Sequence, residues 1–143
     1  MRMCSLILFI LTIAAELHSQ PVAPIRFKDE IFADALVSKN LSYRTVLPED
    51  TRKEYFLFDL YQPKEDSESI ERPLIIWMHG GAFMFDSKNA EGVEMWCTSF
   101  AKRGYVTAAI NYRLTKKNTL FNFKNLLGAC AEAVDDAKEA ILY

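Results

Sequence analysis

His79-Gly80-Gly81-Ala82-Phe83 is the stretch of this chain whose residue types and spacing could do chemistry. It follows directly on the apolar run Leu74-Ile75-Ile76-Trp77-Met78, and the next helical pattern begins only several residues later. Adjacent glycines let the backbone take unusual dihedrals and approach a ligand closely, which exposes peptide N–H groups. The C-terminal end of a sheet strand is where α/β proteins place their sites. Acyl transfer needs donors in such a place, because negative charge builds on the carbonyl oxygen and must be met by N–H groups already fixed where that oxygen will lie. Taken by itself, His-Gly-Gly would be read as an ordinary tight turn leaving a strand, with His79 making a local hydrogen bond. The elements around it decide between the two.

Pro73 opens the run Leu74 to Met78, which is short, unbroken and apolar, as expected of a central strand covered on both faces. Val93, Trp96, Cys97, Phe100 and Ala101 fall at helical spacing with Gly104 as a C-terminal stop, so a helix is expected over Ala90 to Arg103. Tyr105 to Ile110 reads as a second buried strand. Leu126, Cys130, Ala133, Val134, Ala137 and Ile141 again recur at helical spacing and predict a long closing helix with those residues inward. Upstream, Pro21 to Asn40 has no clear pattern. A hairpin is expected from Ser42 to Leu47, a Pro48-Glu49-Asp50-Thr51 turn and Glu54 to Tyr61, followed by a polar loop from Gln62 to Arg72. The order is β-β-β-α-β-α and the fold class is α/β. No internal repeat or low-complexity tract is visible.

The 143 residues are half apolar and a quarter charged, which suits one modest core at most. A formal charge of −2, a pI near 5.7 and scattered basic residues give no field that would gather phosphates, so nucleic acid is not an expected partner. Residues 1–20 read as a secretory signal: Arg2 gives the positive start, Leu6 to Ala15 is apolar apart from Thr12, and cleavage is expected near Gln20. That run is far short of the ~20 residues a membrane span needs. No membrane attachment is expected after cleavage, and Cys4 lies on the wrong side of the run for a lipid anchor. Cys97 and Cys130 fall on helical apolar stripes and read as small core residues in preference to a disulfide. Asp135 and Asp136, with Lys138 nearby, read as a solvated helix face and not as a paired-carboxylate site. With His79 as the one histidine after the signal and two distant cysteines, neither a metal site nor a cofactor is expected.

His79-Gly80-Gly81-Ala82 resembles the oxyanion-hole motif of α/β-hydrolase esterases and lipases, whose loop after the third strand reads His-Gly-Gly-Gly or close to it. Asp59-Leu60-Tyr61-Gln62-Pro63 is similar to the strand ending that precedes this motif in carboxylesterases, and Asn111-Tyr112-Arg113-Leu114 to the family's fourth-strand ending. The resemblance covers roughly Ser38 to Tyr143. It implies that Gly81 and Ala82 donate their amides to the oxyanion, that Gly80 shapes the turn and that His79 organises the loop without being the catalytic base. Phe83 and Phe85 would line the acyl or alcohol pocket, and Arg113 and Asp59 would make structural hydrogen bonds or an ion pair at strand ends. Ala82 should be harmless unless the backbone there requires a positive φ.

The same resemblance calls for a nucleophilic serine on a G-x-S-x-G turn, then an acid and a histidine, in that chain order. Gly80, Gly81, Gly92, Gly104 and Gly128 flank no serine in that pattern. Residues 21–143 are therefore expected to be the N-terminal portion of an α/β-hydrolase domain, cut before the nucleophile elbow, with an open sheet edge and marginal stability. The expected function is a fragment of a secreted carboxylic-ester hydrolase, inactive by itself, whose intact form takes a small-molecule ester. The alternative is a non-catalytic binding module of the same fold. Substrate identity and oligomeric state are not legible.

Overall fold

The computed structural model describes residues 23–45, 53–68 and 70–143. The expected signal at 1–20, the Pro48 to Thr51 turn and Leu47 lie outside them. Among the described residues four strands are present: β1 (Ala35–Ser42), β2 (Leu57–Pro63), β3 (Leu74–Met78) and β4 (Val106–Ile110). Two helices accompany them, α1 (Val93–Lys102) between β3 and β4 and α2 (Phe123–Ile141) after β4. The order is β-β-β-α-β-α, as the sequence patterns require.

The strands form one mixed sheet in the order β1-β2-β4-β3. β1/β2 and β2/β4 are antiparallel, whereas β3 and β4 run parallel from Leu74↔Val106 to Met78↔Ile110. Period-two alternation sorts the side chains onto two faces. Tyr61, Ala109 and Trp77 join Ala35 and the α1 residues Val93, Cys97 and Ala101 in one cluster. Phe58, Ala108, Ile110 and Ile76 join Tyr43, Phe56 and the α2 residues Ala137 and Ala140 in the other. The helices thus cover opposite faces of a three-layer molecule.

Three expectations need correction. β1 begins at Ala35, within the stretch read as patternless, because its alternation is broken by a bulge: pairing shifts between Ser38 and Leu41, and Asn40 sits at φ 57. β3 is not central among the described residues but an edge strand, with Leu74 44% and Met78 37% exposed. The inward face of α2 is Ala129, Ala133, Asp136 and Ala140, while Val134 and Ile141 point outward and Leu126, Cys130 and Ala137 are half-buried. Short alanine side chains let the helix lie close to the sheet, and larger residues there would hold it off.

Helix ends follow local chemistry. α1 starts at Val93 and not Ala90, because Gly92 at φ 82 is left-handed and cannot continue a right-handed helix backwards. Gly104 at φ 104 ends it, with Gly104 N–H bonded to Ala101 O (2.9 Å) and Tyr105 N–H to Phe100 O (3.2 Å). Arg26 packs where a Gly104 side chain would stand, 3.1 Å from the position of a Cβ. α2 opens on Asn122, whose side chain accepts from Asn125 N–H (3.1 Å). Cys97 is buried and Cys130 half-buried, and neither is in a disulfide.

Candidate functional site

β3 delivers the chain at Met78 into a turn built around one buried aromatic pair. His79 is 5% exposed and stacks on Tyr112, ring centroids 4.3 Å apart and planes 13° from parallel. Its Nδ1 lies 2.8 Å from Gly80 O, which can only accept, so Nδ1 carries the proton. Tyr112 Oη donates to His79 O (2.6 Å) and lies 3.3 Å from Gly80 O. Burial, then the charges of Asp86 and Cys130, raise the Tyr112 pKa, so its hydroxyl stays a donor well above neutral pH.

The next three residues are left-handed: Gly81 at φ 99, Ala82 at φ 51 and Phe83 at φ 62. The expectation for Gly80 meets a different geometry, since its φ is not positive and nothing lies within 4 Å of a Cβ placed on it. Gly81 makes the turn possible: a Cβ there would stand 2.1 Å from Phe85 O. Ala82 does occupy a positive φ, the one circumstance in which its methyl carries a cost. Strain gathered over consecutive residues persists only where the surroundings over-determine it.

The surroundings do so by holding the carbonyls. Gly80 O meets His79 and Tyr112, Gly81 O accepts from Met84 N–H (3.0 Å) and Phe85 N–H (3.3 Å), and Ala82 O accepts from Thr119 Oγ1 (2.6 Å). Phe83 O accepts from Thr115 N–H (2.8 Å). In a planar trans peptide the N–H points opposite to the C=O. The tethered Gly80, Gly81 and Ala82 carbonyls therefore turn the following amides, of Gly81, Ala82 and Phe83, away from their tethers. Among the described residues no acceptor meets the Gly81 or Ala82 amide. The loop thus presents fixed donors at the end of a parallel strand, an arrangement suited to a developing anion. Phe83 lies half-buried against the Tyr112 ring at 5.9 Å, whereas Phe85 is 59% exposed.

The strand ends are locked by two ionic networks. Arg113 binds Asp136 through Nε (2.9 Å) and Nη2 (2.8 Å) to Oδ1 and through its backbone N–H (2.8 Å) to Oδ2. Asp136 is fully buried, so the solvated-face expectation holds for Asp135, 3.3 Å from Lys138, and fails for Asp136. The hydrogen bond to Asp136 raises the Arg113 pKa further above its ordinary value. Asp59 Oδ1 accepts from buried Lys88 Nζ (2.8 Å) and from Asn40 N–H in the β1 bulge (2.7 Å). Asn111 Oδ1 takes the Lys88 N–H (2.6 Å), which ties the far end of the 79–92 loop to the end of β4.

The sequence brought His79, Gly80, Gly81, Ala82, Phe83 and Phe85 together as one loop, and they form one turn. It missed Thr115, Thr119 and Tyr112 as holders of that loop and Lys88 as the partner of Asp59. Tyr112 stood in a recognisable strand ending, but nothing in the local sequence shows where its hydroxyl goes. A lysine in a polar stretch carries no sign that it will be buried.

Residues 58–143 match the BD-FAE family model, a span from β2 through α2 that includes the whole turn. Venom carboxylesterase-6 of Apis mellifera is 41% identical over 56 residues, 39% of this chain and 9% of that protein. Among solved structures, esterase B from Lactobacillus rhamnosis (HN001) has a TM-score of 0.43 at 18% identity, over 79% of this chain and 32% of that one. A bacterial heroin esterase has a TM-score of 0.45 at 17% identity, over 94% of this chain and 34% of that one. The chain thus spans about a tenth of the curated relative and a third of these structures. With the family model covering most of the described sheet, both helices and the glycine turn, the chain belongs to the BD-FAE family of esterase-like α/β-hydrolases.

Proposed function

We propose that this chain is the oxyanion-binding portion of a secreted carboxylic-ester hydrolase of the serine type. Gly81 and Ala82 donate their amides to the carbonyl oxygen of a small-molecule ester as it becomes an alkoxide, and His79 holds the loop without exchanging protons with substrate. Attack comes from a serine outside these 143 residues, because no glycine here flanks a serine in the G-x-S-x-G pattern. Phe83 and Phe85 contribute apolar surface beside the reacting ester. No metal or cofactor enters this chemistry. The signal-like residues 1–20 support export, after which the product is free of the membrane.

The observation that carries this reading is the tethering of the Gly80 and Gly81 carbonyls, which turns the two following amides, of Gly81 and Ala82, away from those tethers with no acceptor among the described residues. The test uses p-nitrophenyl esters. The 143 residues by themselves should give no rate above buffer; turnover by them would sink the reading. In the protein that unites this chain with its serine, Gly81→Ala should lower kcat by about 10²–10³ with KM little changed, since the lost donors act on the transition state. An unchanged kcat would instead favour the non-catalytic module.

A further inference from the structure

We propose that Asn40 is the acceptor of an N-linked glycan, an inference that rests on the export reading above. Asn40-Leu41-Ser42 has the Asn-X-Ser spacing that oligosaccharide transfer requires, with an X that is not proline. Asn89, Asn111, Asn118, Asn122 and Asn125 lack Ser or Thr two residues on.

Spacing by itself would be weak, and the placement of the triplet strengthens it. Among the described residues β1 is an edge strand, and its ladder breaks between Ser38 and Leu41, so Asn40 opposes no residue of β2. Asn40 is exposed at φ 57, a conformation asparagine tolerates better than most residues. Its backbone N–H is satisfied by Asp59 Oδ1 (2.7 Å), while its side-chain amide has no partner among the described residues. Ser42 is exposed as well and spends its hydroxyl on Arg44 O (2.7 Å), a contact local to the strand end. The left-handed bulge accounts for an asparagine at 40. It does not account for a free amide together with an exposed serine two residues later.

The step is a group transfer without redox change. Asn40 Nδ2 attacks the anomeric carbon of an oligosaccharide carried on a polyisoprenyl pyrophosphate. A C–N bond forms, the C–O bond to pyrophosphate breaks with its electron pair leaving on oxygen, and Nδ2 gives up one proton. A glycan there would stand over the free edge of β1 and block strand addition to it, in the way natural edge strands are protected by bulk and charge.

The test expresses the full chain in insect cells, once with its own first 20 residues and once with an unrelated secretory leader in their place. Both products should migrate as heavier species, return to the unmodified mass with peptide N-glycosidase, and show conversion of Asn40 to aspartate in the digested peptide. Asn40→Gln and Ser42→Ala should each abolish the shift, and Ser42→Thr should keep it. A product carried into the lumen by the unrelated leader but unmodified at Asn40 would overturn the site and leave the export reading standing. Modification with the unrelated leader, together with an unprocessed and unmodified product from the native one, would overturn export and with it the glycan on the natural protein.

Discussion

At the residue scale, the turn after β3 concentrates its cost in two side chains that glycine would replace more comfortably. Ala82 at φ 51 occupies a region that costs an L-residue about 1–2 kcal/mol, partly offset by the greater freedom glycine has in the unfolded chain. Ala82→Gly should therefore raise stability by up to about 1 kcal/mol in urea titration, and a loss of stability would show that the methyl makes compensating contacts. The thiol of Cys97 supplies a second test at this scale. Burial, opposed by the Thr107 hydrogen bond and reinforced by Asp59, pushes its pKa from 9.0 to about 11. The folded state then holds the proton where the unfolded state releases it, so this contribution is complete below about pH 9 and is lost as pH rises towards 11. Its size is about 2–3 kcal/mol. Cys97→Ala should flatten the fall in stability over that window, and an unchanged slope would assign the fall to the buried tyrosines Tyr43 and Tyr61, whose pKa values are also raised by burial.

At the scale of elements, α2 separates what a helical pattern can tell from what it cannot. Hydrophobic spacing placed Val134 inward, yet Val134 is half-exposed and Ala133 is 1% exposed against the sheet. Ala133→Leu should cost about 1–3 kcal/mol by forcing the helix off the sheet, whereas Val134→Lys should change stability by less than about 0.5 kcal/mol. Equal effects from the two would mean that the helix rotates about its axis to bury its larger side chains. The Arg113–Asp136 pair opposes that rotation, since three hydrogen bonds fix one turn of α2 to the end of β4. A buried aspartate was not legible as such: adjacent acidic residues on a helix look alike until the sheet supplies an arginine to one of them.

At the scale of the whole molecule, the sheet has helices on both faces but a hydrogen-bonding edge at β3, with Leu74, Met78 and Trp96 exposed beside it. Leu127, Val134 and Ile141 add a second uncovered apolar stripe along α2. Edges and patches of this kind template association. The 143 residues in isolation should bind a hydrophobic dye such as ANS and sediment as assemblies that grow with concentration. Leu74→Lys at the strand edge should reduce the assembly. A monomer indifferent to concentration and dye would show that this surface is already protected.

The sequence by itself determined the order of elements, the helix stop at Gly104 and the turn at His79-Gly80-Gly81, because short-range sterics and side-chain periodicity act within a few residues. It also carried the family, since the glycine turn and the strand endings around it are contiguous. Tertiary structure decided the rest. Which face of α2 is buried depends on how closely a helix can approach the sheet, and the bulge at Asn40 depends on a carboxylate 19 residues away. The aim of the Gly81 amide depends on Tyr112, and that of the Phe83 amide on Thr119, each more than 30 residues downstream and holding the carbonyl behind it. Hydrogen bonds of that reach leave no local pattern in the chain; they exist only once β3, β4 and the loop before α2 lie side by side.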